Sequence, residues 1–365
     1  MHLTPIDAER YRRALALPDL TDAANGPHAL QQLVAETVAA LRDAWHSDVI
    51  VHRSHPVVPV SDNYDLLGYA PEAAARASRY TRYVTRARVL RTHTTALVPG
   101  LLRSLAPAGH PDALLVCPGL VYRRDSIDRL HVGEPHQLDL WRLRAGPLGP
   151  RDLAEMVRIV VDAVLPGRDH RAHPASHPYT REGLELEVRN GDAWVEVAEC
   201  GVAAPEVLGR AGLDPHVSGL AMGIGLDRVL MLRKGIDDIR LLRSTDERVV
   251  VQMRDLSPYR PVSSQPPVHR DLSLAVRPGV SVEELGDRVR ASLGPRAESV
   301  EAVELLSTTP ADALPAQARE RLGIGPHQEN VLVRVTLRHS TRTLRKEEAN
   351  LLRDEIYAAL HEGRC

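Results

Sequence analysis

Apolar side chains at Leu30, Leu33, Val34, Val38, Leu41 and Trp45 recur at three- and four-residue spacing, which predicts an amphipathic helix over 29–45 lying on a core. The stretch that follows, DVIVHRSHPVVPV, is rich in β-branched residues but broken by Pro56 and Pro59, so it predicts an edge or interrupted strand. From Asp112 the pattern changes to strand-like runs: ALLVCPGLVYRR, HQLDLWRL, LELEV and WVEVAECGV. Apolar positions alternate there with polar or acidic ones, so one sheet face packs while the other presents charge. Two helices interrupt these runs. RDLAEMVRIVVDAVL is framed by Pro150 and Pro166, and LDRVLMLRKG ends on Gly235, a natural left-handed stop.

After Asp255 the periodicity stops. The segment 255–267, DLSPYRPVSSQPP, is dense in Pro and Ser and predicts an extended linker. Beyond it the pattern restarts with the strand RDLSLAV, the helix SVEELGDRVRASL, the strands SVEAVELLS and NVLVRVTLRH, and the helix RKEEANLLRDEIYAAL. That β-α-β-β-α order is a ferredoxin-like split motif whose last strand is short or missing. The expected fold class is α+β, an antiparallel β-sheet flanked by helices plus a C-terminal ferredoxin-like α+β domain. Expected boundaries are 1–27 for an N-terminal extension, 28–254 for the large domain, 255–267 for the linker and 268–365 for the small domain.

Composition narrows the function classes. The 365 residues are 43% hydrophobic and 26% charged, and no apolar run approaches the ~18 residues a membrane helix needs. MHLTPIDAERYRR lacks the apolar core of a signal peptide, so a cytoplasmic location without a membrane partner is expected. A formal charge of −2 gives no global positive field, so a nucleic-acid partner needs a local basic patch. Cys117, Cys200 and Cys365 are too few and too scattered for a zinc site or a disulfide framework and are expected as reduced thiols. Lysine occurs only at Lys234 and Lys346, and phenylalanine is absent while nine tyrosines remain.

Three stretches could carry chemistry. In VYRRDSIDRLHVGEPHQLD, residues 121–139, Arg123, His131, His136 and Gln137 surround an expected strand-loop-strand hairpin. Guanidinium groups at such a tip can grip phosphate oxygens bidentately, although a solvated charged loop has the same composition. In GLAMGIGLDRVLML, Gly223 and Gly225 precede a helix whose first turn carries Arg228, so a ligand could approach the backbone closely and a cation could meet its phosphate. RTHTT, residues 91–95, offers His93 and Thr95 as hydrogen-bonding groups for an amino or carboxyl group. Farther on, Arg334, Arg338, Arg342, Arg345 and Lys346 form a basic cluster with no acidic residue between Arg334 and Lys346, suited to salt-sensitive phosphate contacts.

Taken in order, these pieces resemble the class II aminoacyl-tRNA synthetases, and within them the single-chain phenylalanyl-tRNA synthetases of the organellar type. The resemblance covers roughly residues 28–365. YRRDSID followed by His131 and HQ is similar to the second class-defining motif. GLAMGIGLDRVLMLRKGIDDIRLL is similar to the third, and RTHTT stands where the family has R-x-HTS. QPPVHRDLSLAV and RHSTRTLRKEEANLLRDEI resemble the family's ferredoxin-like anticodon-binding domain. The resemblance implies ATP-dependent activation of phenylalanine, or a close aromatic amino acid, as the adenylate and its transfer to tRNA. It implies ATP binding by Arg123, Asp125, His131, Gly223, Gly225 and Arg228, with Arg123, His131 and Arg228 as the catalytic set. It assigns the amino acid to His93, Thr95, Gln137, Asp139, His177, Tyr179, Glu199, Ala221 and Met222. Glu196 falls on the strand that contributes a Mg²⁺ ligand, and Arg334, Arg338, Arg342, Arg345 and Lys346 would face tRNA. ATP and Mg²⁺ are thus the expected cofactors, and tRNA and an aromatic amino acid the expected partners.

The chain departs from the pattern around the ring pocket. His177, Pro178 and Tyr179 stand where the family has Phe-Pro-Phe, Met222 replaces a Phe of the third motif, and Pro135 replaces the Phe of FHQxE. Asp139 replaces a Glu and Glu199 a Gly. Polar walls with unpaired donors reject substrates that lack the matching group, so a ligase for a polar or hydroxylated phenylalanine analogue is an alternative. A non-catalytic tRNA-binding or regulatory paralogue is a second, and loading of a carrier protein a third. Both a monomer, as in the matched single-chain enzymes, and a homodimer formed through the region around Pro56 fit the sequence.

Overall fold

The computed structural model describes residues 5–108, 112–262 and 266–364. Cys365 and residues 263–265 of the expected linker lie outside them. Contacts divide the chain into two compact units: Met1–Arg123, Glu134–Ile236 and Gln252–Tyr259 form the first, and Arg124–Gly133, Asp237–Val251 and Arg260–Cys365 the second.

Among its described residues the first unit has nine strands: β1 (Asp48–Val51), β2 (Val57–Pro59), β3 (Arg88–Leu90), β4 (Ala113–Leu120), β5 (His136–Ala145), β6 (His170–Pro174), β7 (Thr180–Asn190), β8 (Ala193–Ala203) and β9 (Val217–Gly225). Seven form one sheet in the order β1-β4-β5-β9-β8-β7-β6, and β2 pairs with β3 beside it. The sheet is antiparallel except at its edge, where β1 runs parallel to β4. The prolines act as expected: Pro56 lies between β1 and β2, and Pro59 closes β2. All eight residues of β4 are buried, as in an interior strand covered on both faces.

Helices form where the spacing predicts them. Ala29–Trp45 is capped by the His28 imidazole, which accepts from the Leu30 N–H at 3.2 Å. Pro150–Val164 starts on its proline, with Asp152 accepting from the Gly149 N–H at 2.9 Å. Leu226–Lys234 ends at Gly235, whose φ of 68° is the left-handed conformation that glycine adopts without a Cβ clash. One apolar cluster joins Leu115, Cys117, Trp141 and Ala221 of the sheet to Tyr179 and to the helices Val98–Leu105 and Pro205–Arg210. Cys117 and Cys200 are buried free thiols, and burial pushes the Cys200 thiol up to about 12.

Strand register decides which residues meet. Gln137, Asp139 and Trp141 of β5 oppose Gly225, Gly223 and Ala221 of β9, and Gly223 in turn opposes Glu199 of β8. Paired residues share a face, so these side chains project from one side of the sheet. In the β7–β8 pairing, Leu186 opposes Ala198 but Glu187 opposes Glu196, a one-residue bulge. That extra residue turns Glu196 to the face of Glu199, where strict alternation would have pointed it away.

The second unit contains β10 (Val268–Val276), β11 (Val300–Pro310) and β12 (Glu329–Leu337), antiparallel in the order β10-β12-β11. With helices Val282–Leu293 and Lys346–Leu360 it has the ferredoxin-like order, and a short helix at Ala316–Leu322 that the sequence reading missed precedes β12. No fourth strand occurs among the described residues; the Glu362 N–H donates to Ala275 O of β10 at 2.8 Å, a single rung at that edge. The loop 124–133 is bound into this unit. Ile127 joins its apolar core, its carbonyl accepts from the Val303 N–H at 2.9 Å, and Arg290 donates to the carbonyls of Asp125 and Ser126.

Candidate active site

The RTHTT segment is fastened from several sides. The Arg91 guanidinium donates to the carbonyls of Leu120 (2.7 Å) and Ser54 (3.2 Å). Asn63, fully buried, donates to Thr92 Oγ1 at 2.9 Å and accepts the Thr92 N–H at 3.1 Å. Gln137 accepts from the Thr94 N–H at 3.2 Å, and Arg123 Nε donates to Thr92 O at 3.0 Å. Held this way, His93 has two buried ring nitrogens with no hydrogen-bond partner. Burial first and the Arg123 charge second push it down to about 3, so the imidazole is neutral near pH 7.

Two residues along, Thr95 Oγ1 donates to Asp139 Oδ2 at 2.5 Å, and Trp141 Nε1 donates to Asp139 Oδ1 at 2.6 Å. Burial pushes the Asp139 carboxyl up to about 7 against both of these donors, and Glu199 adds to the rise. A carboxylate has about four acceptor positions, so two remain for a ligand. Tyr179 sits over this group among rings. Its centroid is 5.8 Å from His177, 6.3 Å from Trp141 and 6.5 Å from Tyr69, and Tyr69 stacks on His93 at 5.8 Å. Burial raises both the Tyr69 and the Tyr179 hydroxyls, so both stay neutral. His177 Nε2 lies 3.3 Å from Glu199 Oε2, and this contact holds the Glu199 carboxyl below its usual range. Gly183 makes room for this imidazole: a Cβ there would come within 2.4 Å of Ala175 O and 2.9 Å of His177 Nδ1.

Arg228, at the start of its helix, places Nη1 3.2 Å from both the carbonyl and Oε2 of Glu196, the residue turned by the bulge. A Cβ on Gly223 or Gly225 would meet nothing closer than 3.5 Å, so the chain's own packing does not demand glycine at either place. What these glycines leave is a bare strand end just before Arg228, a surface that a flat, negatively charged ligand can approach closely. Glu185, opposite Glu199, is raised by burial and then by Glu196, Glu187 and Glu199. Glu187 is engaged by Arg171 at 2.6 Å and His173 at 3.0 Å. No group of three or more metal-binding side chains occurs among the described residues.

Several expectations are corrected by the geometry. His136, read as a phosphate-facing residue, is fully buried; its Nδ1 lies 2.8 Å from Asp227 Oδ1 and its Nε2 accepts from the Leu20 N–H at 3.1 Å, so it ties the N-terminal segment to the sheet. Met222 opposes Leu140 and Cys200 in register and therefore projects from the face away from Asp139, a core position and not part of the amino-acid set. Asp125 and His131 stand on the loop 124–133 grouped with the second unit, where His131 Nδ1 contacts both Asp128 oxygens at 2.7 and 2.8 Å; their expected part in ATP binding belongs to the proposal below. The basic cluster is no unopposed patch: Arg334 pairs with Asp271 at 2.8 Å, Arg342 with Glu348 at 2.9 Å, and Arg338 with Glu301. These carboxylates come from β10, β11 and the last helix, and a linear reading of 334–346 could not see them. Tyr64, Tyr69, Asn63 and Trp141 were missed. For Trp141 the signal was available, since QLDLW puts it two residues from Asp139 on the same strand face.

Residues 23–253 match the family model described as tRNA synthetases class II core domain (F), and the chain belongs to that family. Among its relatives, a phenylalanine–tRNA ligase alpha subunit of Nostoc punctiforme is 32% identical over 52% of this chain and 56% of its own length. A probable mitochondrial phenylalanine–tRNA ligase of Drosophila melanogaster is 28% identical over 85% of this chain and 77% of its own. The chloroplastic/mitochondrial phenylalanine–tRNA ligase of Arabidopsis thaliana is 28% identical over 84% and 70%. The chain thus spans just over half the length of the cyanobacterial subunits it matches, and more of the organellar ones.

Proposed function

We propose that the protein is an aminoacyl-tRNA ligase that activates phenylalanine with ATP and transfers it to tRNA. The observation that carries this reading is the shared sheet face on which Asp139, Gly223 and Glu199 lie in register, next to a buried His93 with no partner of its own. A buried unpaired imidazole costs ~1–3 kcal/mol, which a ligand's amino or carboxyl group would relieve. Asp139 and Thr95 then meet the substrate ammonium, and Tyr179 and His177 flank its ring.

Activation requires the substrate carboxylate to attack the α-phosphorus of ATP as the bond to pyrophosphate breaks. Negative charge grows on phosphate oxygens, and Arg123 and Arg228 supply fixed positive charge without reorganisation. Because Arg228 rests against Glu196, ATP takes over that guanidinium and leaves the Glu196 carboxylate for a cation. Class II synthetases use ATP and typically Mg²⁺. Mg²⁺ commonly takes one or two carboxylates plus substrate phosphates, so Glu196 with Glu185 fits it without a three-residue cluster. When bound, Mg²⁺ neutralises charge on the departing pyrophosphate.

The second unit is the tRNA-binding part in this reading, with Arg345 and Lys346 as its leading contacts. A cytoplasmic location and the boundaries 28–254 and 268–365 belong to the same proposal, with the chain acting as a monomer or a homodimer. The test is charging: the purified chain with ATP, Mg²⁺, phenylalanine and total tRNA should form an acid-stable, base-labile phenylalanyl ester. No ester with any tRNA, while other synthetases charge the same pool, would reject the proposal.

A further inference from the structure

Trp141 is buried beneath the site and touches both of its halves. Its indole N–H donates to Asp139 Oδ1 at 2.6 Å, and its ring stacks on Tyr179 with centroids 6.3 Å apart and planes 29° apart. Register across β5 and β9 puts Ala221 directly opposite it, so a small neighbour on the same face leaves room for the indole. The second Asp139 oxygen is held by Thr95. With both oxygens fixed by neutral donors, the carboxylate cannot rotate, and its remaining acceptor positions have defined directions.

We propose that Trp141 is the positioning residue of the amino-acid site: its N–H orients the Asp139 carboxylate for the substrate's ammonium group, while the same ring braces Tyr179 against the substrate's aromatic ring. This rests on the function proposed above and extends it to a residue that contacts no substrate atom. One side chain then couples the two recognition elements, and a substrate needs both a cationic amino group and a ring at the matching separation.

Charge on Asp139 is part of the device. The groups facing it are Thr95 from the 91–95 segment, Trp141 on its own strand, Cys117 on β4, Glu199 on β8, and Tyr179 and Tyr69 above. Thr95 and Trp141 favour its ionised form, whereas burial and Glu199 oppose it. Loss of one hydrogen bond to a charged group shifts its titration by about one to two pH units. Loss of the indole N–H therefore moves Asp139 upward by that interval and leaves it protonated near neutrality.

The test uses the full chain with Trp141→Phe, which keeps a ring and deletes the donor, and a second sample in which benzothienylalanine replaces Trp141 alone, exchanging its N–H for sulfur. The first readout is the Asp139 carboxyl titration by ¹³C NMR, assigned with Asp139→Asn; its midpoint should rise by about one to two pH units. The second is phenylalanine-dependent ATP–pyrophosphate exchange. KM for phenylalanine should rise about tenfold or more near pH 7 and recover as the pH is raised, while KM for ATP is unchanged. An unmoved midpoint, or equal changes in both KM values without pH dependence, would overturn the proposal. Absence of phenylalanine-dependent exchange in the unmodified chain would instead reject the function reading, and the titration would still decide whether Trp141 controls Asp139.

Discussion

Asp139→Asn should make the protein more stable at neutral pH and change it little in acid. The carboxyl is 3% exposed, and burial raises it from the ordinary 3.8 to about 7 despite donors from Thr95 and Trp141. Below 3.8 both folded and unfolded chains hold the proton, and the group has no effect on stability. Between 3.8 and about 7 the unfolded chain loses the proton while the folded chain keeps it, so stability falls as pH rises; above that interval the loss is complete. At 1.36 kcal/mol per pH unit the full effect is roughly 4 kcal/mol. Asparagine does not ionise and keeps one acceptor for the Trp141 N–H. Urea unfolding of both proteins from about pH 4 to about pH 8 reads the difference, in which the other titrating groups cancel. The variant should gain on the parent across that range, most steeply in its middle. A stability difference that stays constant with pH would instead mean that Asp139 ionises alike in the folded and unfolded chains, so that burial does not raise its carboxyl.

Lys234 offers a second test: its buried ammonium donates to the carbonyls of Asp255 (2.7 Å) and Ser257 (2.5 Å), and its own carbonyl accepts from the Tyr259 N–H at 2.7 Å. Lys234→Met strands two carbonyls and should cost about 2–4 kcal/mol by urea unfolding, with faster amide exchange at Tyr259; a cost under about 0.5 kcal/mol would show that the clasp contributes nothing. In the second unit, Lys346→Ala should lower the slope of log affinity for tRNA against log salt by about one, measured by filter binding from about 50 to about 200 mM salt. Arg334→Ala should change it less, because Asp271 already matches that charge; the reverse ranking would place the contact surface elsewhere.

Helices and strands were legible where spacing had a single meaning. The 3.6-residue stripe of 29–45, the proline at the start of 150–164 and Gly235 after Lys234 each state a local requirement that tertiary packing left intact. The motifs also located the strands that build the site, because Arg123, Asp139, Gly223 and Arg228 stand on or beside β4, β5 and β9 in chain order. What could not be read was whatever depends on register between distant strands. Met222 and Ala221 are neighbours in sequence, yet opposite faces separate them, and only the pairing with β5 says which one looks toward Asp139. Glu196 reaches its face through a bulge that nothing in VEVAE announces. His136 resembled a ligand residue because its partners, Asp227 and the Leu20 N–H, lie 91 and 116 residues away. The arginines of 334–342 looked unopposed for the same reason, since two of their three carboxylate partners come from β10 and β11.

On the proposed function, this sheet face activates an aromatic amino acid with ATP. Amino-acid-dependent ATP–pyrophosphate exchange tests it most directly, run over all twenty amino acids together with tyrosine and phenylalanine analogues, with Arg228→Ala as control. Exchange driven by phenylalanine, and abolished by Arg228→Ala, is the predicted result. Exchange driven only by a ring-hydroxylated analogue would contradict the assigned substrate, and no exchange with any amino acid would contradict the claim itself.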